Sequence, residues 1–268
     1  MKRFLQGLGT GGAVATLAGL IGLGGAEFRL PILKGLFRLG TLQAVILNKA
    51  TSLIVVFFAL IFRSHEIPFE AIWEYKNTIL NLLLGSLAGA WIAAGIAMKI
   101  SEQTLDRIVL VLLLFLATVL LLEHWFLPTQ NGALFDSLPM EIAVGIAAGF
   151  GIGVVASMLG VAGGELLIPV IVLLYGVDVK LAGSLSLAIS LPTMLVGFAR
   201  YTRSQAFVIL REERPLFIAL SLGSIIGAAA GSALLGVVSS GILVLLLAVV
   251  LMVSAYKIFR HQSKALPA

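Results

Sequence analysis

One glycine-rich stretch occurs twice in this sequence, and this repeat constrains the fold more than any other feature. Residues 22–31 read GLGGAEFRLP, and residues 160–169 read GVAGGELLIP, at an offset of 138 residues. In each copy an apolar run leads into clustered glycines, a glutamate follows, and a proline ends the stretch. Glycine and proline interrupt helices, and a carboxylate in an apolar run is costly unless it has a partner or a function. Two such interruptions at corresponding positions of two halves indicate a transporter binding site.

The same offset of 138 residues relates positions well outside the motif. The glycine, proline, serine and glutamate matches are the informative ones, because leucine matches mean little in so apolar a chain. They predict an internal duplication, with a first repeat over 1–127, a linker over 128–138 and a second repeat over 139–262. The matched pairs are Gly7 and Gly145, Gly11 and Gly149, Ala18 and Ala156, Ser52 and Ser190, Glu74 and Glu212, Gly85 and Gly223, and Gly89 and Gly227.

Composition excludes a soluble domain. The 268 residues are 60% hydrophobic and 12% charged, with a mean hydropathy of +1.10. Such a chain has too little polar surface for water, so the fold class predicted is an all-α polytopic membrane protein. The absence of cysteine excludes disulfides and thiolate chemistry. Besides the two motif-bearing runs near 5–33 and 141–175, apolar runs of spanning length lie near 42–62, 78–98, 108–127, 181–199, 215–235 and 241–259.

The two motif segments leave two topologies open. If each segment enters and returns, a half has three full spans plus a broken or re-entrant helical segment, and the repeats are inverted. If each segment crosses fully, the chain has eight spans in parallel repeats. The positive-inside bias favours the re-entrant arrangement, which places thirteen loop cations inside and three outside, against eleven and five for eight spans. Both arrangements predict that the two termini are cytoplasmic.

The glycines of the motif are candidate anion ligands. Gly24 and Gly25 in the first copy, with Gly163 and Gly164 in the second, let the chain open and expose backbone amides. Amides at the start of a short helix bind anions through the helix dipole and their unpaired N–H groups. Close packing of helices is the competing explanation for such glycines.

Glu27 and Glu165 are the matched acids, and three roles stay open for them. They could carry protons in coupled transport, bind a cation, or form structural hydrogen bonds to freed backbone amides or pair with nearby bases.

Two cations break the symmetry of the repeat. Arg29 and Lys49 correspond to Leu167 and Leu187, and a cation within an apolar run needs a partner such as Glu27 or a substrate anion. Lys49 belongs to a polar stripe with Asn48 and Ser52, and the second half offers Ser186 and Ser190 one turn apart. We expect these two stripes to form walls of one cavity for a small anion.

The sequence lacks the motifs of metal-binding proteins, enzymes and nucleic-acid-binding proteins. His65, His124 and His261 have no metal-ligand spacing, so we predict no metal site and no cofactor. No catalytic constellation, nucleotide-binding motif or phosphate-binding face is present, so we predict neither an enzyme nor nucleic-acid binding.

The glycine motif resembles that of the sulfite exporter TauE/SafE family, and the resemblance covers nearly the whole chain. It is carried by Gly22, Gly24, Gly25 and Pro31, and by Gly160, Gly163, Gly164 and Pro169. The third glycine of the family pattern is Ala26 here, and Arg29 stands where the family mostly has an apolar residue. The resemblance implies a bacterial-type inner-membrane permease for sulfite, sulfonates or other organosulfur anions, driven by an ion gradient.

We therefore expect a multi-pass exporter of a small anion in the cell inner membrane, with a proton or sodium ion as the coupling partner. A cation or metal transporter using Glu27 and Glu165 and a non-transporting membrane scaffold are the alternatives. The sequence does not determine whether the protein forms a homo-oligomer.

Overall fold

The computed structural model describes residues 2–96, 137–159, 161–201 and 206–265, with a few single positions between 110 and 121. The predicted span near 108–127 therefore lies mostly outside the described residues. The described part contains no strand. Its helices are α1 (Lys2–Ile21), α2 (Ala26–Gly35), α3 (Thr41–Arg63), α4 (Phe69–Glu74), α5 (Lys76–Ile96), α6 (Leu138–Leu159), α7 (Gly164–Tyr175), α8 (Val179–Tyr201), α9 (Ala206–Glu212), α10 (Arg214–Leu234) and α11 (Ser240–Ala265).

Five of these helices are long and apolar enough to cross a bilayer, which agrees with a polytopic membrane protein. Two shorter apolar helical segments accompany them, Gly164–Tyr175 and Ser240–Tyr256. The five segments are Lys2–Ile21, Gln43–Arg63, Leu138–Ser157, Val179–Val196 and Arg214–Leu234.

Both motif segments are broken, as the glycines predict. α1 ends at Ile21 and α2 begins at Ala26, while α6 ends at Leu159 and α7 begins at Gly164. The residue before α2 is Gly25 with φ 67°, and the residue before α7 is Gly163 with φ 76°. This left-handed backbone disfavours residues with a Cβ atom, so glycine allows the chain to leave one helix and enter the next. The two breaks lie 138 residues apart, at equivalent positions of the repeat. Gly160 lies outside the described residues.

The repeat is also visible in the packing of the helices. α1 packs along α10, and α5 packs along α6. A methyl group built on Gly11 would meet the Leu220 carbonyl oxygen, and one built on Gly149 would meet that of Leu82. Adding 138 to one residue of a pair and subtracting it from the other converts the first contact into the second. The two halves are therefore related by a pseudo-two-fold axis, and each half packs its own helix against a helix of the other.

The central helices α3 and α8 run antiparallel. Arg63, the last residue of α3, donates a hydrogen bond to Ser184 near the start of α8. Lys49 in the first half of α3 lines the same cavity as Met194 in the second half of α8. Because α3 and α8 are equivalent elements of the two repeats, equivalent helices of the repeats point in opposite directions.

The short helix α2 runs back against its neighbours. Its first residue, Ala26, accepts a hydrogen bond from Asn48, and Leu33 near its end packs with Ala44 near the start of α3. The ends of α1 and α3 lie together, because Arg63 donates to the Gly19 carbonyl. α1 and α3 therefore run in the same direction, and α2 returns the chain between them. α7 likewise folds back on α6, since its last residue, Tyr175, contacts Gly145 near the start of α6.

Candidate functional site

The two glycine breaks meet in the centre of the bundle. A methyl group on Gly24 would lie 2.5 Å from the Ala162 Cβ atom, and one on Gly164 would lie 3.4 Å from the Gly22 carbonyl oxygen. Ala162 is the repeat counterpart of Gly24, so the loops meet where the pseudo-two-fold axis passes. Ser190 Oγ donates a hydrogen bond of 3.0 Å to the Ala162 carbonyl oxygen and ties the second loop to α8.

In the first half, Arg29 joins α2 to α3. Its side chain is fully buried, and its Nη1 donates to Ser52 Oγ at 2.8 Å and to Asn48 Oδ1 at 3.5 Å. Asn48 Nδ2 donates in turn to the Ala26 carbonyl oxygen at 3.0 Å. Three of the predicted site residues thus form one polar cluster in which the serine and the asparagine orient the guanidinium.

The remaining nitrogens of Arg29 are available to a ligand. Nε and Nη2 are buried and have no hydrogen-bond partner in the described part of the chain. Nη2 lies 3.6 Å from where a Cβ atom on Gly25 would be, so the guanidinium stands over the start of α2. The carboxylate of Glu27 interacts with it electrostatically. A buried cation beside a helix N-terminus gives this region a positive potential that favours an anion.

Lys49 lines a cavity at a different face of α3 from the Arg29 cluster. The side chain is only 3% exposed, and the cavity that it lines is small. The cavity lies between α3, α5, α6 and α8, next to the second glycine break. Its other lining residues are Ala90, Ala156, Ser157, Val161, Thr193 and Met194.

The hydroxyl groups of this cavity are held by the helices around it. Thr193 Oγ1 donates to the Ile189 carbonyl oxygen and shares a 2.9 Å hydrogen bond with Ser86 Oγ on α5. Ser157 Oγ donates to the Ala90 carbonyl oxygen at 3.4 Å. The cavity therefore presents one cationic side chain, oriented hydroxyl oxygens and small apolar groups.

The remaining candidates lie close to the second break. Glu165, at the start of α7, is 4% exposed and accepts a 2.9 Å hydrogen bond from Ser254 of α11. Ser186 is fully buried; its hydroxyl would lie 3.2 Å from a methyl group on Gly164, and it has no hydrogen-bond partner in the described part of the chain.

The predicted residues thus fall into three groups around the two breaks. Arg29, Asn48 and Ser52 form one cluster with Glu27 beside it, Lys49 lines the cavity, and the residues of the second half surround the start of α7. Of the predicted site residues, Lys49 is the one that lines this cavity.

Sequence reasoning missed Ser157 and Thr193, although the repeat carries a signal for them. Their counterparts at the offset of 138 are Gly19 and Val55, so both are polar where the other half is not. Lys49 shows the same asymmetry, so a systematic search for polar residues with apolar counterparts would have included the three polar residues of the cavity lining.

Sequence reasoning also misplaced Arg63. The topology argument counted it as a loop cation, but the structure buries it completely, with carbonyl oxygens as its main partners.

Two repeated halves, two broken helices that meet, and a buried cation at a small cavity define the class of an integral membrane transporter. The family model of the sulfite exporter TauE/SafE matches residues 2–120 and 144–267, one match in each half. The chain belongs to this family, whose members are membrane permeases rather than enzymes. No curated protein and no solved structure matches the chain in these comparisons.

Proposed function

We propose that this protein is a secondary transporter that exports a small anion, such as sulfite, a sulfonate or another organosulfur anion, and is driven by an ion gradient. Membership of the sulfite exporter family supports the substrate class. The observation that carries the proposal is the burial of Lys49 at a cavity beside the point where the two breaks meet. A buried cation within a membrane segment is costly, and its usual justification is a function on the path of a charged substrate.

The anion binds between the two breaks in this proposal. Lys49 supplies a compact point charge, and the amides of Gly24, Gly25, Gly163 and Gly164 supply backbone donors at the helix starts. Arg29 offers Nε and Nη2, two donors on one edge of the guanidinium. That edge can hold two oxygens of one oxyanion, as in sulfite, a sulfonate or a carboxylate.

Glu27 and Glu165 are the candidate proton carriers. Glu27 stands beside the Arg29 cation, so protonation of Glu27 would leave Arg29 with more uncompensated positive charge and favour an anion. Glu165 accepts a hydrogen bond from Ser254 of α11, so a change in the protonation of Glu165 would alter the contact between α7 and α11. A proton is therefore the coupling ion we favour, and sodium is the alternative.

For the membrane topology we propose inverted repeats, each with a re-entrant hairpin and three full spans. The support is the antiparallel arrangement of α3 and α8 and the return of α2 between two helices of the same direction. Complete burial of Arg63 strengthens the charge argument, because it removes one of the three cations that this topology assigned to the outside. The N- and C-termini are then both cytoplasmic, in a bacterial-type inner membrane.

The site assignment is tested by sulfite flux in proteoliposomes. We expect Lys49→Ala to abolish flux and Glu27→Gln to reduce it strongly, because each change removes a charge from the proposed path. Matched controls are Lys34→Ala and Glu70→Gln, which make the same chemical changes at exposed positions. If Lys49→Ala and Glu27→Gln both transport sulfite at the rate of the unsubstituted protein, the site assignment is wrong.

Further measurements separate the alternative functions. A thermal-shift series with small oxyanions and with divalent cations should show stabilisation by sulfite or a sulfonate. Stabilisation by cations alone would support a cation transporter instead, and the absence of any flux would support a scaffold. Flux that follows an imposed pH gradient but not a sodium gradient would identify the proton as the coupling ion.

A further inference from the structure

Arg63 is a buried cation that the anion site does not use. It is the last residue of α3, and its side chain is fully buried. Its Nη1 donates to the carbonyl oxygens of Gly19 at 2.8 Å and Leu20 at 2.7 Å. Its Nη2 donates to the Lys180 carbonyl oxygen at 2.6 Å, and its Nε donates to Ser184 Oγ at 3.0 Å. Each nitrogen of the guanidinium therefore has a partner.

These partners belong to both halves of the molecule. Gly19 and Leu20 lie in the last turn of α1, where unpaired carbonyls carry the negative end of the helix dipole and attract a cation. Lys180 and Ser184 lie in the first turns of α8. Arg63 thus ties the broken helix of the first repeat to the central helix of the second, next to the first glycine break.

The backbones at this contact are too close for side chains. A methyl group on Gly183 would lie 2.7 Å from Arg63 Nη2 and would also meet the Ile21 carbonyl oxygen. One on Gly22 would meet the backbone of Gly183 itself. The end of α1 and the start of α8 are therefore in direct contact at this end of the bundle, which we call the Arg63 end.

The interior behind this contact differs from its repeat counterpart. Toward the other end of the bundle lies the cavity with Lys49, Ser157 and Thr193. At the Arg63 end the equivalent positions carry only apolar residues and glycine, and all of them are buried. These positions are Ala18, Gly19, Leu23, Val55, Val56, Leu187 and Ala228. One end of the pseudo-symmetric pathway therefore has a polar cavity, and the other is packed shut.

We propose that Arg63 is the positioning residue that keeps the Arg63 end of the transport pathway closed. Inverted repeats can alternate access by exchanging the conformations of their two halves around a fixed site. For the Arg63 end to open, α1 and α8 must separate and the hydrogen bonds of Arg63 must break. The apolar positions behind it then open as the counterpart of the Lys49 cavity.

The second repeat does not carry an arginine at the position equivalent to Arg63. The repeat counterpart of Arg63 is Tyr201, and a tyrosine hydroxyl offers a single donor where a guanidinium offers five. The two ends of the pathway therefore cannot be closed by the same contacts, and Arg63 biases the equilibrium toward the conformation described. The Arg63 end faces the outside if the topology proposed above holds, and the inference depends on that proposal for this assignment.

Thiol labelling tests the role of Arg63, because the chain contains no cysteine of its own. The reporter is Val56→Cys, a substitution of similar volume at a fully buried position behind the contact. A membrane-impermeant maleimide is applied to intact cells and, separately, to inside-out vesicles. The control reporter is Val250→Cys, the same substitution at a buried position of α11.

We expect Arg63→Gln to accelerate labelling at position 56 from the outside by about tenfold or more and to leave position 250 unchanged. The loss of one charge-assisted hydrogen bond shifts an equilibrium by about that factor. Ser184→Ala removes a single partner and retains the cation, so it should give a smaller increase in a protein that folds normally. Arg63→Lys should fall between Arg63→Gln and the unsubstituted residue.

The outcomes separate the inference from the proposals on which it rests. Faster labelling at position 56 from the cytoplasmic face alone would support the role of Arg63 and contradict the topology. Unchanged labelling at position 56 in both Arg63→Gln and Ser184→Ala would overturn the inference. An equal rise at positions 56 and 250 would also overturn it, because general loosening would then explain the result.

Discussion

Replacing Gly11 by alanine should weaken the packing of α1 against α10. The new methyl group would lie 2.5 Å from the Leu220 carbonyl oxygen and 3.1 Å from its Cα atom. Both are backbone atoms and cannot rotate away. An ordinary contact requires 3.4 Å, so the two helices must separate by about 0.9 Å at this point. Overpacking of this kind costs about 1–3 kcal/mol.

Gly9→Ala is the matched control, because nothing lies within 4 Å of a methyl group at that position. Both variants gain the same helix propensity, about 1 kcal/mol for alanine over glycine. The difference between them therefore isolates the packing cost. Since 1 kcal/mol moves the melting temperature of a chain of this size by about 2–4 °C, we expect Gly11→Ala to melt about 5 °C below Gly9→Ala.

The assay is thermal unfolding of the purified proteins in detergent, followed by far-UV circular dichroism. The second half allows the same comparison to be made independently, because the new methyl group of Gly149→Ala meets the Leu82 carbonyl oxygen and that of Gly151→Ala meets nothing within 4 Å. If Gly11→Ala melts at the same temperature as Gly9→Ala, α1 and α10 do not pack as described. If only one of the two pairs of variants shows the difference, the packing of α1 against α10 is not equivalent to the packing of α5 against α6.

Two further stability predictions concern the helix breaks. Gly25→Ala should lower the melting temperature relative to Gly35→Ala. Gly25 has φ 67°, and its new methyl group would lie 2.8 Å from Val14 Cγ1, whereas a methyl group on Gly35 has open space. The left-handed backbone alone costs about 1–2 kcal/mol, and equal melting temperatures of the two variants would contradict this prediction. Ser254→Ala should destabilise the protein by about 1.5–3 kcal/mol through loss of the hydrogen bond to the buried Glu165 carboxylate, and unchanged denaturant unfolding would show that this bond does not hold α11 to α7.

Several features of the fold could be predicted because their causes are local. Glycines followed by a proline interrupt a helix wherever they occur in an apolar run, so both breaks were predicted where they are observed. The duplication was readable because Gly11 and Gly149, like Ser52 and Ser190, recur at one offset. Arg29 and Lys49 were likewise recognised as site candidates, because a cation inside an apolar run needs a partner or a function.

The sequence did not show how the predicted site residues divide between the Arg29 cluster and the cavity. Asn48 and Lys49 are neighbours in sequence, but they are about 100° apart around α3, so one joins the Arg29 cluster and the other faces the cavity. The other lining residues of the cavity come from α5, α6, α8 and the second glycine break, far away in sequence. Which side of a buried helix meets which neighbour depends on the packing of all of them.

The sequence by itself determined a duplicated membrane protein with two helix breaks and with two cations, Arg29 and Lys49, inside apolar runs of the first half. It could do so because glycine, proline and charge act through their own backbone and solvation. Only the tertiary structure decided that each half packs against the helices of the other and that α3 and α8 run in opposite directions. It also decided that Arg63 is a buried bridge between α1 and α8, because an arginine at the end of a span can equally be a loop cation. The physical reason is that the choice depends on whether distant carbonyl groups, here those of Gly19, Leu20 and Lys180, are brought within reach of the guanidinium.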